Sequence, residues 1–91
     1  MSTAGRYEVR IKEPAERELD DLPSRVFARV VKALLRLEVA PRPRGCKKLR
    51  GREEYRLRVG PYRVLYVVDD AARRVEIVAV RHRRDAYRFG D

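Results

Sequence analysis

The sequence predicts an α+β fold in the order strand, helix, helix, strand, strand, strand, with both helices on one face of a small, twisted, mostly antiparallel sheet. An alternating apolar and charged segment comes first, at residues 7–12, and two segments of helical periodicity follow between residues 14 and 39. Three strand-like segments then lie between residues 55 and 81. Two successive helices before a run of strands favour α+β over alternating α/β. A chain of 91 residues is expected to form one domain, residues 1–91.

Two helices follow the first strand. Residues 1–5 carry no pattern and are predicted to be disordered. Pro14 suits the first turn of a short helix, where its missing N–H costs nothing, and Pro23 ends that helix. Ser24 is the predicted N-cap of a longer helix that reaches about Val39. The apolar positions at helical spacing are Ala15, Leu19 and Leu22 in the first helix, and Phe27, Val30, Val31, Leu34 and Leu37 in the second.

A basic loop and three strands make up the rest of the chain. Residues 41–45 contain two prolines and a glycine and stop the second helix, and residues 47–51 are predicted to continue as a basic loop. The predicted strands are residues 55–59, residues 62–68 and Arg74 to about Arg81. We expect a short tail or a helical turn after the last strand.

The turn at Gly60-Pro61 predicts which side chains share a face. If these two residues form the loop, Val59 faces Tyr62 and the register of the hairpin is fixed. The resulting apolar pairs, predicted to meet the helices, are Val59–Tyr62, Leu57–Val64 and Tyr55–Tyr66. On the other face Arg58 lies beside Arg63, and Arg56 lies beside Leu65. Adjacent like charges on a sheet cost up to about 1 kcal/mol. This face is therefore either a binding surface or a solvated polar face without a role.

Strict alternation predicts the faces of the last strand. Val78 and Val80 are assigned to the helix-covered core, with Glu76 and His82 on the same side. The opposite side, which carries the arginines, is assigned Val75, Ile77, Ala79, Arg81 and Arg83. Four or five guanidinium groups would then converge on one face. Because the guanidinium fork matches phosphate oxygens, this convergence is typical of a phosphate-binding site.

The net charge of +9 is concentrated in two segments of the chain. Residues 42–63 carry nine basic and two acidic side chains, and residues 81–88 carry four arginines and one aspartate. A concentrated positive charge favours a polyanionic partner such as nucleic acid. The alternative explanation for the positive charge is the base composition of the genome, which can favour arginine codons; 19 of the 23 basic residues are arginine.

The sequence lacks the residue patterns of a disulfide, a metal site, a cofactor site or a membrane span. Cys46 is the only cysteine, so we expect an ordinary thiol in a reducing compartment rather than a disulfide or a nucleophile. No metal-ligand spacing, glycine-rich phosphate loop or serine triad is visible, so no metal and no cofactor are expected. No apolar run approaches the roughly 20 residues that cross a bilayer, and the N-terminus has no signal-peptide core. We expect a cytoplasmic protein with no membrane partner.

Several segments of the chain, taken in their order along the sequence, resemble the RelE/ParE toxin superfamily, and in particular its RelE branch. The resemblance covers about residues 6–88. The matching segments are the opening strand and proline-started helix, Lys47-Lys48-Leu49-Arg50-Gly51, Tyr55-Arg56-Leu57-Arg58-Val59, Gly60-Pro61-Tyr62-Arg63-Val64-Leu65-Tyr66 and Val80-Arg81-His82-Arg83-Arg84-Asp85-Ala86-Tyr87-Arg88. The resemblance implies the toxin of a type II toxin–antitoxin system. Such a toxin is a metal-independent endoribonuclease that enters the ribosomal A site and cuts messenger RNA by attack of a ribose 2′-hydroxyl on the adjacent phosphate.

The resemblance also implies roles for individual residues. Arg56 and Arg58 match two basic residues of the active strand, which are usually lysines in the family. Arg63 matches a phosphate-clamping arginine, Arg83 a second charge stabiliser, and Tyr87 the C-terminal tyrosine. Arginine does not deprotonate usefully, so only charge stabilisation transfers to Arg56 and Arg58. Tyr87 is the better candidate for a base, since nearby cations favour its phenolate; the alternative is an aromatic anchor for the tail.

The remaining candidate residues support either RNA binding or the sheet. His82 is the only histidine, and it is either a catalytic group or a cap on the sheet edge. RNA or ribosome contacts are expected from Lys47, Lys48, Arg50, Arg81 and Arg84, with a solvated loop as the alternative for the loop residues.

Two other functions stay open. A ParE-like toxin would bind and inhibit DNA gyrase without cutting RNA, and a silent RNA-binding module would keep the charge without the proton chemistry. The set Arg56, Arg58, Arg63, Arg83 and Tyr87 favours the ribonuclease. The family also implies a cognate acidic antitoxin, a partly disordered peptide that covers the helices and either shields the arginines or displaces the Tyr87 segment.

Overall fold

A computed structural model describes residues 6–85 of the chain. The expectations for residues 1–5 and for Tyr87 lie outside this range. The elements, in chain order, are β1 (Glu8–Ile11), α1 (Glu13–Asp20), α2 (Ser24–Arg36), β2 (Lys47–Lys48), β3 (Tyr55–Val59), β4 (Tyr62–Asp69) and β5 (Arg74–His82). A 3₁₀ turn at residues 83–85 follows β5. The predicted α+β class and the predicted succession of elements are confirmed, and β2 is an addition to them.

The five strands form one mixed sheet in the order β1-β5-β4-β3-β2. The first strand lies parallel beside the last one, and all other neighbours are antiparallel. Both helices pack on one face of the sheet. The core between them and the sheet contains Ala15, Leu19, Val30, Leu34, Leu37, Leu57, Val64, Tyr66, Val75, Ile77 and Val80.

The second helix differs from its prediction at both ends. Pro23, not Ser24, is the N-cap: its backbone is extended, and its carbonyl accepts the first helical hydrogen bond, from Phe27 N, at 2.8 Å. At the other end the α-helix stops at Arg36 rather than Val39. The chain tightens there into turns whose N–H groups bond three residues back, beginning with Leu37 N to Leu34 O at 3.0 Å.

The hairpin of β3 and β4 has the predicted register. Val59 pairs with Tyr62, Leu57 with Val64, and Arg58 with Arg63. Gly60 has a φ of +58°, which a glycine adopts without strain at the first position of a tight hairpin turn. The register prediction was correct because a two-residue loop leaves only one way to align the strands.

The alternation predicted for β5 is wrong in its first half. Leu65 pairs with Ala79 and Tyr66 with Ile77, so Val78 is an extra residue in a β-bulge. The bulge switches the faces: Val75 and Ile77 lie in the helix-covered core, and Val78 packs on the opposite face. The expected positions of Val80 and Arg81 are unaffected because they follow the bulge.

Candidate nucleic-acid interface

Three arginines form one row across three adjacent strands. Arg58 of β3 pairs with Arg63 of β4, and Arg63 pairs with Arg81 of β5. Cross-strand partners have Cα atoms about 4.5–5.5 Å apart and project to the same face. A neighbouring row contains Lys47, Arg56, Leu65 and Ala79. We call the face that carries both rows, opposite the helices, the arginine face.

A small apolar cluster forms the floor of the arginine face. Leu49, Leu65 and Ala79 are buried together, and Val78 packs against them. Leu49 reaches this cluster because its segment folds back onto the sheet, with Leu49 N bonded to Glu54 O at 2.9 Å. The prediction of a basic loop at residues 47–51 missed this contact, as it missed the pairing of Lys47 and Lys48 in β2. An isolated leucine among basic residues was the available signal.

The guanidinium of Arg81 is held by the first helix. Its Nε lies 2.6 Å from Oε2 of Glu18, while Oε1 of the same carboxylate accepts a hydrogen bond from Val80 N at 2.8 Å. Both groups are partly buried, at 33% and 26% exposed. Glu18 therefore covers the outer edge of β5 where β1 has ended, and it fixes the edge of the arginine row.

Arg63 and Arg58 occupy different environments. Arg63, in the centre of the row, is half-buried, and its Nη1 lies 3.4 Å from its neighbour's carbonyl, Tyr62 O. Arg58 is exposed at the outer side of the sheet and also lines a cleft against Arg36 of α2. The row thus runs from a helix-anchored edge at Arg81, through Arg63, to an open edge at Arg58.

Arg83, a candidate charge stabiliser, lies beside the hairpin turn. Arg83 N donates to Pro61 O at 2.7 Å, so the backbone of Arg83 lies against the β3–β4 turn, at the same end of the sheet as the arginine row. Arg83 and Arg84 are both exposed. The exposed side chains of Lys47, Lys48 and Arg50 lie along the β2 edge.

His82 lies on the helix side of the sheet, as its alternation with Arg83 predicts. It pairs with Tyr62, and the two rings meet edge to face at 5.2 Å. Its Nδ1 accepts a hydrogen bond from Arg84 N at 3.2 Å, which leaves the proton of a neutral imidazole on Nε2. A cleft of about 480 Å³ beside it is lined by Glu18, Asp21, Leu22, Tyr62, Val80, Arg81, His82 and Asp85. The His82 ring therefore lies across the sheet from Arg58 and Arg63, but it shares this cleft with Arg81.

A second polar network lies at the opposite end of β4. Arg42 forms a two-pronged ion pair with Asp70, with its Nη1 and Nη2 at 3.1 and 2.7 Å from the carboxylate oxygens. Tyr7 donates to the same carboxylate at 2.6 Å. The bonds from Arg42 and Tyr7 hold the pKa of Asp70 at about 2, below its ordinary 3.8. Burial raises the pKa of Tyr66, whose hydroxyl donates to Pro41 O at 2.9 Å. This network links the loop after α2, the segment before β1 and the turn after β4, at the end of β4 opposite Arg63.

Among residues 6–85, no group of three or more His, Cys, Asp or Glu side chains could hold a metal ion. Within the same range no helix is long and apolar enough to cross a membrane. Cys46 is a partly buried free thiol.

The chain is similar to known toxins along most of its length. Residues 9–87 match the family of ParE toxins of type II toxin–antitoxin systems, parDE. Toxin RelG of Mycobacterium tuberculosis is 38% identical over 85 residues, which are 90% of this chain and 97% of RelG. Toxin RelE of the same organism is 36% identical over 91 residues, 98% of this chain and 94% of its own. A chain of the archaeal RelE–RelB complex from Pyrococcus horikoshii has a TM-score of 0.78 and 31% identity, and the match covers 88% of this chain and 98% of that one.

Proposed function

Because the chain belongs to the ParE toxin family of type II toxin–antitoxin systems, we propose that this toxin is a ribosome-dependent, metal-independent endoribonuclease that acts in the cytoplasm. It cuts messenger RNA in the A site: the ribose 2′-hydroxyl attacks the adjacent phosphate, the bond from phosphorus to the 5′-oxygen of the next nucleotide breaks, and the products are a 2′,3′-cyclic phosphate and a 5′-hydroxyl. The observation that carries the proposal is the row Arg58–Arg63–Arg81, which collects cations on one face of a rigid sheet. The similarity of the chain to toxin RelE of Mycobacterium tuberculosis also supports this proposal.

The arginine row suits the charge that develops in this reaction. Attack of the 2′-hydroxyl gives a phosphorane with an additional negative charge, and fixed cations stabilise that charge more than they stabilise the ground state. Arg63, central and half-buried, binds the scissile phosphate with its fork. Arg58 and Arg56 add charge from β3. The apolar floor of Leu49 and Leu65 excludes water beneath the phosphate and strengthens these interactions.

Proton transfer requires other groups. The guanidinium groups of the row keep their protons, so they stabilise charge and do not act as bases. We assign the base to Tyr87, which follows the 3₁₀ turn, and a second stabilising charge to Arg83, which lies beside the β3–β4 turn. His82 lies across the sheet from Arg63, and we assign it no contact with the scissile phosphate. Contacts to RNA backbone are assigned to Lys47, Lys48, Arg50, Arg81 and Arg84.

The toxin's partner is a cognate acidic antitoxin that binds α2. The archaeal relative was solved as a complex of RelE with RelB. On α2 the apolar side chains of Phe27 and Leu35 are 40% and 57% exposed, and that of Val39, just beyond the helix, is 62% exposed. Their spacings of eight and four residues place them in one stripe on a surface that is otherwise strongly charged. An amphipathic, acidic peptide matches both this stripe and the net charge of +9.

Translating ribosomes test the proposal directly. The purified toxin is added to ribosomes stalled on a defined messenger, and the 5′ and 3′ ends of the RNA are mapped. Cuts within the A-site codon support the ribonuclease. Intact messenger together with inhibited supercoiling by purified gyrase supports a gyrase-directed toxin instead, and intact messenger with active gyrase supports an RNA-binding protein without catalysis.

A further inference from the structure

A strongly basic groove lies between α2 and the outer edge of β3, next to the arginine face. It consists of two adjoining clefts of about 340 and 160 Å³ that share Ala33, Arg36 and Arg58. The cations that line the groove are Arg29, Lys32, Arg36, Arg44 and Arg58. No carboxylate lines either cleft, and within residues 6–85 none of these five cations forms an ion pair.

The groove is open because the edge of β3 is only partly covered. The short strand β2 pairs with Tyr55 and Arg56 and ends there, so from Leu57 onward the outer edge of β3 faces α2 across the groove. On α2, Lys32 follows Arg29 by three residues and precedes Arg36 by four, so the like charges are neighbours on the helix surface. Such pairs cost a few tenths of a kcal/mol each. Stability alone does not account for this arrangement.

Arg58 belongs to both basic surfaces. Its strand position places it beside Arg63 in the arginine row, and the same residue lines both clefts of the groove. The cations therefore form a continuous track from Arg63, around the edge of β3, to Arg36 on α2. A polyanion bound at the arginine row could therefore extend into the groove and contact positively charged residues along its whole path.

The chemistry of the groove favours a phosphate backbone over an acidic peptide. Arg29 and Arg36 lie about 10.5 Å apart along the helix axis, with Lys32 between them, which suits several successive charges on an extended strand. A peptide that folds on binding also needs apolar anchors. The exposed apolar side chains of α2, Phe27 and Leu35, lie on a different side of the helix from the groove.

We propose that this groove binds the phosphate backbone of the RNA strand that the toxin cuts, next to the scissile phosphodiester. The inference rests on the proposed ribonuclease function and deepens it, since it gives the substrate strand a path beyond the arginine row. The enzyme thereby holds several nucleotides of the messenger rather than a single phosphate.

Binding of 2′-O-methyl RNA of 4 and 12 nucleotides tests the groove, because such RNA has no 2′-hydroxyl and cannot be cut by the proposed reaction. The test variant is Lys32→Gln/Arg36→Gln, and the matched control is Lys12→Gln/Arg25→Gln, which removes the same two charges from exposed positions outside both clefts. The test variant should bind the 12-mer about tenfold more weakly and the 4-mer as the wild type does. Its slope of log K against log salt should fall by about 1.4, or 0.7 for each lost phosphate contact. The control should match the wild type, and thermal unfolding verifies that all variants are folded.

Several results would overturn the inference. These are unchanged 12-mer binding by the test variant, an equal loss in the control, or a wild type that binds the 12-mer no more tightly than the 4-mer. A test variant that loses affinity only for vacant ribosomes would assign the groove to ribosomal RNA, and one that loses only the antitoxin would assign it to a protein. Failure of the proposed function looks different: the wild type then leaves messenger on translating ribosomes intact, whatever the oligonucleotides show.

Discussion

Arg58 and Arg63 are direct cross-strand partners, and their positive side chains share one face of a two-residue hairpin. An adjacent pair of like charges destabilises a sheet by up to about 1 kcal/mol. Arg81 extends the same row, but Glu18 balances its charge. The structure thus places at the hairpin a charge concentration that does not favour folding, and this concentration supports the proposed phosphate-binding role.

Replacing Arg58 should make the protein more stable and less active. In Arg58→Thr the repulsion with Arg63 is removed and a good strand former is introduced, so the free energy of unfolding should rise by up to about 1 kcal/mol. Urea denaturation measures this change. The control is Arg10→Thr on β1, where Arg10 lies 3.3 Å from Glu8 and no gain is expected. A less stable Arg58→Thr would show that Arg58 supports the sheet.

Glu18 and Arg81 should be energetically coupled. Removing either charge breaks the 2.6 Å contact between two partly buried groups, so Glu18→Gln and Arg81→Gln should each lower the free energy of unfolding by about 1 kcal/mol. The double variant should lose clearly less than the sum of the two. Thermal or urea unfolding of the four proteins completes the cycle. Additive losses would mean that the 2.6 Å contact contributes nothing.

Acid should lower the free energy of unfolding by protonating Asp70. Since the folded state holds the pKa of Asp70 at about 2, below the ordinary 3.8, protonation favours the unfolded chain. The stabilisation is complete above about pH 5 and is lost as the pH falls towards 2. The stability difference between the wild type and Asp70→Asn should therefore shrink over that interval in urea titrations at successive pH values. A constant difference would contradict the role of the Arg42 ion pair.

The antitoxin should depend on the apolar stripe of α2. Leu35 is 57% exposed, so Leu35→Asp should leave folding intact while placing a buried charge in the complex. We expect at least a hundredfold weaker inhibition of the toxin by its antitoxin, measured by titration against toxin activity. Ser24→Asp, another added carboxylate at an exposed position of α2, serves as the control. Equal inhibition of both variants would place the antitoxin elsewhere.

Some of this arrangement was predictable from local sequence. The two residues Gly60-Pro61 fix the hairpin register, and with it the pairing of Arg58 and Arg63, because a one-residue slip would expose the apolar face. The helices were predictable from apolar spacing, although their ends depend on backbone hydrogen bonds that the spacing does not encode.

Other features depend on contacts that sequence patterns do not specify. The bulge at Val78 was missed because residues 75–80 are apolar at five of six positions, so alternation alone does not assign their faces. The contact between Glu18 and Arg81 joins residues 63 positions apart. Leu49 packs against Leu65 and Ala79 of distant strands, so the local sequence does not predict that it is buried.

Arg63 gives the most direct test of the ribonuclease account. The wild type, Arg63→Lys and Arg74→Lys are compared by mapping messenger ends on translating ribosomes; Arg74 is a half-buried strand arginine at the far end of the sheet. Lysine keeps the charge but loses the two-pronged fork, so Arg63→Lys should cut in the A-site codon about 100-fold more slowly. Arg74→Lys should stay within about twofold of the wild type. Messenger left intact by the wild type, or cut equally fast by Arg63→Lys, would contradict the account.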